Sequence, residues 1–329
     1  MGKNPNHFPL VSIVIITSYH RNFLEPCLKS VFKTNYPNYE VIVVDNGSTD
    51  GSAELLERFM KVHANLRVIR NDHNQGHAQG LNIGVNWAKG KYIAKLDVDT
   101  IVDSKWLSEL MKVILADPTI GVAQSGSYYY ELPELKPQPA YAADLDYLGR
   151  IHFRHVESIE EVFHPTMYAC VIKKSLYRQV GGLYPDYFAY YEEVDLGWKL
   201  RMLGYRCVVV PSSAVRHKGP PKGVRPICTF HAIKNQISNL AIHYNLTNLA
   251  SYLPRLIGYM IVEASYGLVT RKDLQTLRYT VKAFVWNLHN LKRTYLRRKF
   301  VNSKIRCVSD THIKESMIKP RIYRAQHTH

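Results

Sequence analysis

Short apolar runs alternate with longer amphipathic stretches through the first two-thirds of the chain. Strand-like runs fall at 10–17, 39–45, 66–70, 91–97, 120–126 and 205–210. Between them, apolar residues recur at helical spacing at about 22–34, 51–63, 77–89 and 103–116, with a further helix at about 192–204. Strands and helices alternating at this interval imply an α/β fold, a largely parallel sheet with helices on both faces. Gly47 and Gly51 permit a tight turn after the second run, with Ser48 or Asp50 placed to cap a helix beginning near Ala53. Asp103 is the N-cap expected for the fourth helix. Gly80, Asn82 and Gly84 sit in the third helical stretch despite poor propensity, which for Gly84 points to close packing.

The pattern changes after Pro220-Pro221-Lys222-Gly223, a natural boundary between residues 1–220 and 221–329. Residues 230–248 keep helical periodicity. The stretch 249–269 is apolar but interrupted by Pro254, Arg255 and Glu263, well short of the ~20 residues that span a bilayer. A membrane-surface helix, or one packed on the preceding domain, is expected there. The Pro-rich segment 132–139 reads as an irregular loop, either bordering a cleft or lying on the surface.

Charge sharpens the same division. Of 329 residues with a net charge of +16, residues 1–220 carry 24 Lys and Arg against 23 Asp and Glu, whereas residues 221–329 carry 19 against 4. Such a basic region suits nucleic acid, an anionic membrane surface, or solubility alone. Lys292 to Lys299 (KRTYLRRK), basic with interleaved apolar groups, suits anionic headgroups. Five cysteines (Cys27, Cys170, Cys207, Cys228 and Cys307) form no Cys-x-x-Cys pair or disulfide framework, so a reducing cytoplasmic compartment is the expectation. The first residues lack the apolar core of a signal peptide. Neither a Gly-x-Gly-x-x-Gly nor a P-loop sequence is present, which disfavours the usual dinucleotide and P-loop chemistries.

Candidate chemistry clusters where strands end. Asp97 and Asp99 close the fourth run two residues apart, and strand geometry turns them to the same side if the strand extends as far as Asp99. Two such carboxylates suit a hard cation, Mn²⁺ or Mg²⁺, carrying a diphosphate. Asp45 ends the second run, where α/β sheets bind ligands, and is able to accept a hydrogen bond from a nucleobase N–H. The polar segment 71–77 follows the third run like a loop at a strand's carboxyl end. Glu192, Glu193 and Asp195 follow an aromatic run (Tyr184, Tyr187, Phe188, Tyr190, Tyr191) suited to stacking on sugars and excluding water. Crowded carboxylates raise one another's pKa, which makes this cluster the place to seek a general base; acids at a helix N-terminus are the structural alternative.

Taken in order, VSIVIITSYHR, EVIVVDNGSTDGS, NDHNQGHAQGLNIGV and KYIAKLDVDT, followed by Gly181-Gly182-Leu183 and Tyr190-Tyr191-Glu192-Glu193-Val194-Asp195-Leu196, resemble the family 2 glycosyltransferases. The likeness covers roughly residues 10–220 and is similar to the rhamnosyltransferase-like branch. It implies a GT-A fold and inverting transfer of a sugar from a nucleotide diphosphate to an acceptor hydroxyl, on a glycan or a lipid-linked glycan. By position it implies donor contacts from Thr17, Ser18, Tyr19, Arg21, Asp45, Arg70, Asp72, Asn74, Gly76, Asp97 and Val98. The metal would fall to Asp99 with Asp97, and to His217, which could instead meet the diphosphate, with Lys218 neutralising phosphate charge. Glu193 becomes the leading base, with Glu192 and Asp195 orienting it or the acceptor. Two departures stand out: Glu193 replaces the usual aspartate, and Thr17-Ser18-Tyr19-His20 replaces a shorter turn.

A peripheral place on an anionic membrane, on the cytoplasmic face, and an oligomer are both compatible with this composition. A sugar-phosphate nucleotidyltransferase also uses paired carboxylates, but the first loop, Thr17–Arg21, has no glycine to wrap phosphates. A nucleic-acid-binding protein would explain the charge, though not an acidic site in the near-neutral part, so no nucleic acid is expected.

Overall fold

A computed structural model describes residues 8–129, 140–218 and 230–319. The chain opens with β1 (Val11–Thr17), α1 (Arg21–Val31), β2 (Tyr39–Asp45), α2 (Ser52–Val62), β3 (Leu66–Arg70), α3 (Gly76–Trp87) and β4 (Tyr92–Asp97). Each of these begins and ends within three residues of its expected place, because each apolar run is bounded by turn-forming residues. Then come β5 (Thr100–Val102), α4 (Trp106–Ala116), β6 (Ile120–Tyr129), the hairpin pair β7 (Ala140–Leu145) and β8 (Ile151–Val156), β9 (Glu160–Val162), β10 (Ala169–Lys173), α5 (Lys174–Gln179), α6 (Glu192–Met202) and β11 (Arg206–His217).

The main sheet runs β3-β2-β1-β4-β10-β6-β11-β5, with β9 added on β11. Its first four strands are mutually parallel, and β6 is parallel to β11. The expected parallel sheet is therefore mixed, since β10 enters antiparallel between β4 and β6. Strands β5, β7, β8, β9 and β10 were not among the expected runs: they are short, or too polar in alternation to stand out. The last run extends past Val210 to His217 through a register shift at Val210/Ala214, and that extension carries the chain to the end of β5.

Helix starts differ in detail from expectation. Gly51, at φ +83°, occupies the N-cap of α2, and Asp50 Oδ1 accepts from the Ser52 amide at 3.1 Å. α4 starts at Trp106; Asp103 instead holds the turn before it, accepting from the Lys105 amide at 2.8 Å. α3 lies close on the sheet because Gly80 abuts Ile16 and Gly84 abuts Val14 and Val44. Asn82 in the same helix bonds Leu183 on both sides, through its N–H and its carbonyl.

The C-terminal third is helical: α7 (Phe230–His243), α8 (Leu246–Arg271), α9 (Leu274–His289), α10 (Leu291–Phe300) and α11 (Asp310–Glu315). The helix expected over 230–248 breaks at Tyr244, and Asn245 caps α8 by accepting from the Asn248 amide at 2.8 Å. α7 is buried along most of its length, polar residues included, against α6 on one side and α8 and α9 on the other. No helix of the described residues is long and apolar enough to cross a membrane. The boundary Pro220–Gly223 and the Pro-rich segment 132–139 lie outside the described residues.

Candidate active site

Parallel register brings the carboxyl ends of β1, β2 and β4 level. Thr17 pairs with Asp45, and Ile16 with Asp97. Open α/β sheets bind ligands along such an edge. Around it the structure gathers Thr17, Ser18, Tyr19, Asp45, Asn74 and Gly76. Asp45 is buried, with Oδ1 accepting from the Ser48 amide at 3.0 Å. Ser48 Oγ accepts from the Tyr19 amide at 3.1 Å, and Asn74 Nδ2 donates to Ser18 Oγ at 3.1 Å. The Thr17 hydroxyl is buried without a partner among the described residues. The Arg21 amide donates to Asp50 Oδ2, and its guanidinium lies beside Gly51. Arg70 is engaged outside this group, on the Ala53 carbonyl and Glu57 of α2. Asp72 is exposed in the loop that follows β3.

Past β4 the chain turns at Val98, which is buried, and returns as β5. β11 pairs there with β5, His217 opposite Thr100. That pairing places Asp97, Asp99 and His217 with one ligand atom each within 4.8 Å of one another. His217 Nε2 lies 3.3 Å from Asp99 Oδ1 and 3.6 Å from Asp97 Oδ2. Its ring stacks on Tyr168 with centroids 5.1 Å apart, and the Tyr168 hydroxyl is fixed on the Ser125 carbonyl at 2.7 Å. Burial works against charge on His217, but Asp99 and Asp97 outweigh it and hold its pKa above the ordinary imidazole value.

Two residues absent from the sequence reading complete this cluster. Lys95, 2% exposed, is two positions before Asp97 on the same face of β4, and its ammonium contacts Asp97 Oδ1. Burial would raise the Asp97 pKa, but Lys95, aided by His77 and His217, holds the carboxyl far below the usual range. A lysine inside an otherwise apolar strand was the available signal. His77, at the start of α3, spans the site: Nδ1 is 2.7 Å from Glu192 Oε1 and Nε2 is 3.6 Å from Asp97 Oδ1. Burial and Lys95 oppose its protonation, yet the two carboxylates prevail and raise its pKa.

The acidic triplet divides. Glu192 faces His77 and keeps Oε2 buried without a partner among the described residues. Glu193 beside it is partly exposed, and burial together with the neighbouring Glu192 charge pushes its pKa up to about 8. Asp195 faces the interior: it is fully buried, 2.6 Å from Lys199 Nζ and 2.8 Å from His243 Nε2. Its place is under α6, fastening that helix to α7, because two positions past Glu193 the helix has rotated about 200° and turned the side chain inward.

The aromatic run is also mostly structural. Tyr187 and Tyr191 are buried, Phe188 stacks on His231 at 4.9 Å, and Tyr184 lies beneath the Lys199 and Arg297 cations. Tyr190 is the exposed member, at 43%. Phe188, Tyr190 and Tyr191 all have positive φ, and α7 holds them there. Asn235 Nδ2 donates to the carbonyls of Tyr187, Ala189 and Tyr190, and Asn239 Nδ2 to that of Tyr191. Gly76 sits against Phe188 so closely that a Cβ would lie 2.6 Å from its ring.

Residues 12–181, just over half of the chain, match the model of glycosyl transferase family 2. Glycosyltransferase GlyG of Streptococcus pneumoniae is 36% identical over 115 residues, 34% of this chain and 38% of that one. The chain thus matches well under half the length of such curated relatives. The mannosyltransferase PcManGT from Pyrobaculum calidifontis, solved with GDP-Man and Mn²⁺, superposes with a TM-score of 0.56 at 18% identity, covering 87% of this chain and 89% of that one. GalNAc-T7, solved with UDP, GalNAc and Mn²⁺, gives 0.66 at 17% identity over 88% and 58%. These neighbours share this chain's fold, the GT-A fold. The chain belongs to glycosyl transferase family 2.

Proposed function

We propose that this enzyme moves a sugar from a nucleotide diphosphate to an acceptor hydroxyl in one inverting displacement assisted by Mn²⁺ or Mg²⁺. The observation that carries the proposal is the Asp97–Asp99–His217 cluster, linked through His77 to the Glu192–Glu193 pair. Two carboxylates and an imidazole with converging ligand atoms fit a divalent cation. When bound, the cation would offset the charge that gathers on the departing diphosphate. Asp45 would accept the nucleobase N–H, with Thr17, Ser18 and Tyr19 along the nucleotide. Lys95 would keep Asp97 ionised.

On the acceptor side, a hydroxyl proton passes to a Glu193 carboxylate oxygen while the freed oxygen bonds to the anomeric carbon. The bond from that carbon to the diphosphate breaks, and the diphosphate leaves with the electron pair. Glu192, tied to His77, positions its neighbour and raises its basicity. The neutralising His77 also joins the two halves of the site into one charge-balanced row.

A panel of nucleotide sugars, screened by thermal shift with Mn²⁺ and then by release of nucleoside diphosphate, tests the reading. Asp99→Ala should abolish release and Mn²⁺-dependent nucleotide binding while the melting curve stays cooperative, since the side chain lies partly exposed at a strand end. Near-normal turnover in that variant, or pyrophosphate as the product, would overturn the assignment.

A further inference from the structure

A surface that the catalytic reading leaves unused lies on the C-terminal helices. α9 turns Thr276, Thr280 and Ala283 inward. Outward it presents Leu274, Val281, Val285 and Leu288, spaced so that they form one helical face. Arg278 and Lys282 are exposed beside that row. The adjoining α8 repeats the arrangement, with Leu256, Met260 and Ala264 buried and Val262, Tyr266 and Val269 exposed, the last at 80%. From residue 246 to 305 the chain carries two acidic residues, Glu263 and Asp273, against eleven Lys and Arg.

An apolar row left in water on a single chain marks a binding face. Its surroundings select the occupant. A second copy of this face would bring like charges together. A polyanion such as nucleic acid would match the cations and leave the leucines and valines uncovered. A bilayer containing anionic lipid matches both, taking the apolar side chains below the headgroups and the cations among them. The helix that follows this face reaches the loop leading to Glu193. On α10, which follows α9 directly, Arg293 bonds Asp186 Oδ2 at 3.0 Å and Arg297 pairs with Oδ1, in the loop that leads to Glu193.

We infer that α8 and α9 dock on an anionic bilayer and that α10 sets the acceptor side of the cleft beside it, so that the acceptor is borne on a lipid. The docking stands on the surface alone; the acceptor clause rests on the glycosyl-transfer reading.

Flotation of the full chain with phosphatidylglycerol-containing and pure phosphatidylcholine vesicles, at low and high salt, tests it. The protein should float with the anionic vesicles and less so as salt rises. The exposed pairs Val281→Asp with Val285→Asp, and Arg278→Glu with Lys282→Glu, should each weaken partition about tenfold or more. Circular dichroism and release of nucleoside diphosphate from the donor should be unchanged in both. Equal flotation with both vesicle types, none at low salt, or unaffected variants would overturn the docking. So would self-association that the valine substitutions abolish in a protein that binds no vesicles. Vesicle binding that persists while the donor is never cleaved would overturn the transferase reading and leave the docking surface standing.

Discussion

Glu193 is distinguished by electrostatics more than by position. Its carboxyl sits beside that of Glu192 and out of full solvation, so protonation persists to about pH 8. A base works only when deprotonated, so turnover should rise with pH and level off above about 8. Glu193→Gln should cut kcat by about 10²–10⁴ and erase that inflection. Glu192→Gln removes the repelling charge and should move the inflection to lower pH, with donor affinity nearly unchanged. A pH–rate profile of the three proteins decides this; an inflection that survives Glu193→Gln would shift the role to Glu192. Asp97 contrasts with this, held ionised by Lys95 from the same strand face. The i, i+2 parity of Lys95 and Asp97 was written in the sequence, whereas Asp99 reaches the cluster through the turn that follows β4. The approach of His217 from a strand more than a hundred residues later was visible only by resemblance.

At the scale of elements, the loop before α6 is held by a helix from the far end of the chain. Three residues with positive φ would each cost about 1–3 kcal/mol if left unsupported. The amides of Asn235 and Asn239 on α7 satisfy the loop carbonyls and offset that strain. Asn235→Ala should lower stability by about 1–3 kcal/mol, since it strands buried carbonyls. It should lower kcat more than donor affinity, because the loop leads to Glu193 and stands apart from Asp45. Urea unfolding together with separate measurement of kcat and donor binding checks this; a variant of parental stability would show that the loop holds itself. Helical periodicity announced α7 as a helix. That its polar residues face inward was hidden, because polar side chains read as solvent-facing until their partners are known.

For the whole molecule, the charge boundary near residue 220 suggested a catalytic part and a basic appendage, yet the core crosses that boundary. His243 stacks on Trp198 at 5.1 Å and closes the ion pair of Asp195 with Lys199. Tyr187 donates to Asn239 at 2.6 Å. A chain ending before Phe230 would uncover these groups and leave Asp195 and Lys199 buried with fewer partners. It should lose its cooperative thermal transition, measured by calorimetry on the shortened and full proteins. A sharp transition in the shortened chain would show that the catalytic part folds alone.

Through periodicity, the sequence by itself determined the parallel first half of the sheet, because apolar runs and turn residues are local signals. Its parity placed Lys95 and Asp97 on one face of β4, because side-chain alternation is a backbone property; β4 stops at Asp97, so Asp99 joins them through the turn into β5 instead. Its strand-end pattern picked out Asp45, and its family likeness singled out His217 and Glu193. Tertiary structure alone decided that Asp195 is buried under α6, that Arg70 is engaged with α2, and that Lys95 and His77 join the charged row. Those outcomes depend on which distant groups meet, and contacts such as His77 with Glu192, 115 residues apart, leave no local trace in the chain.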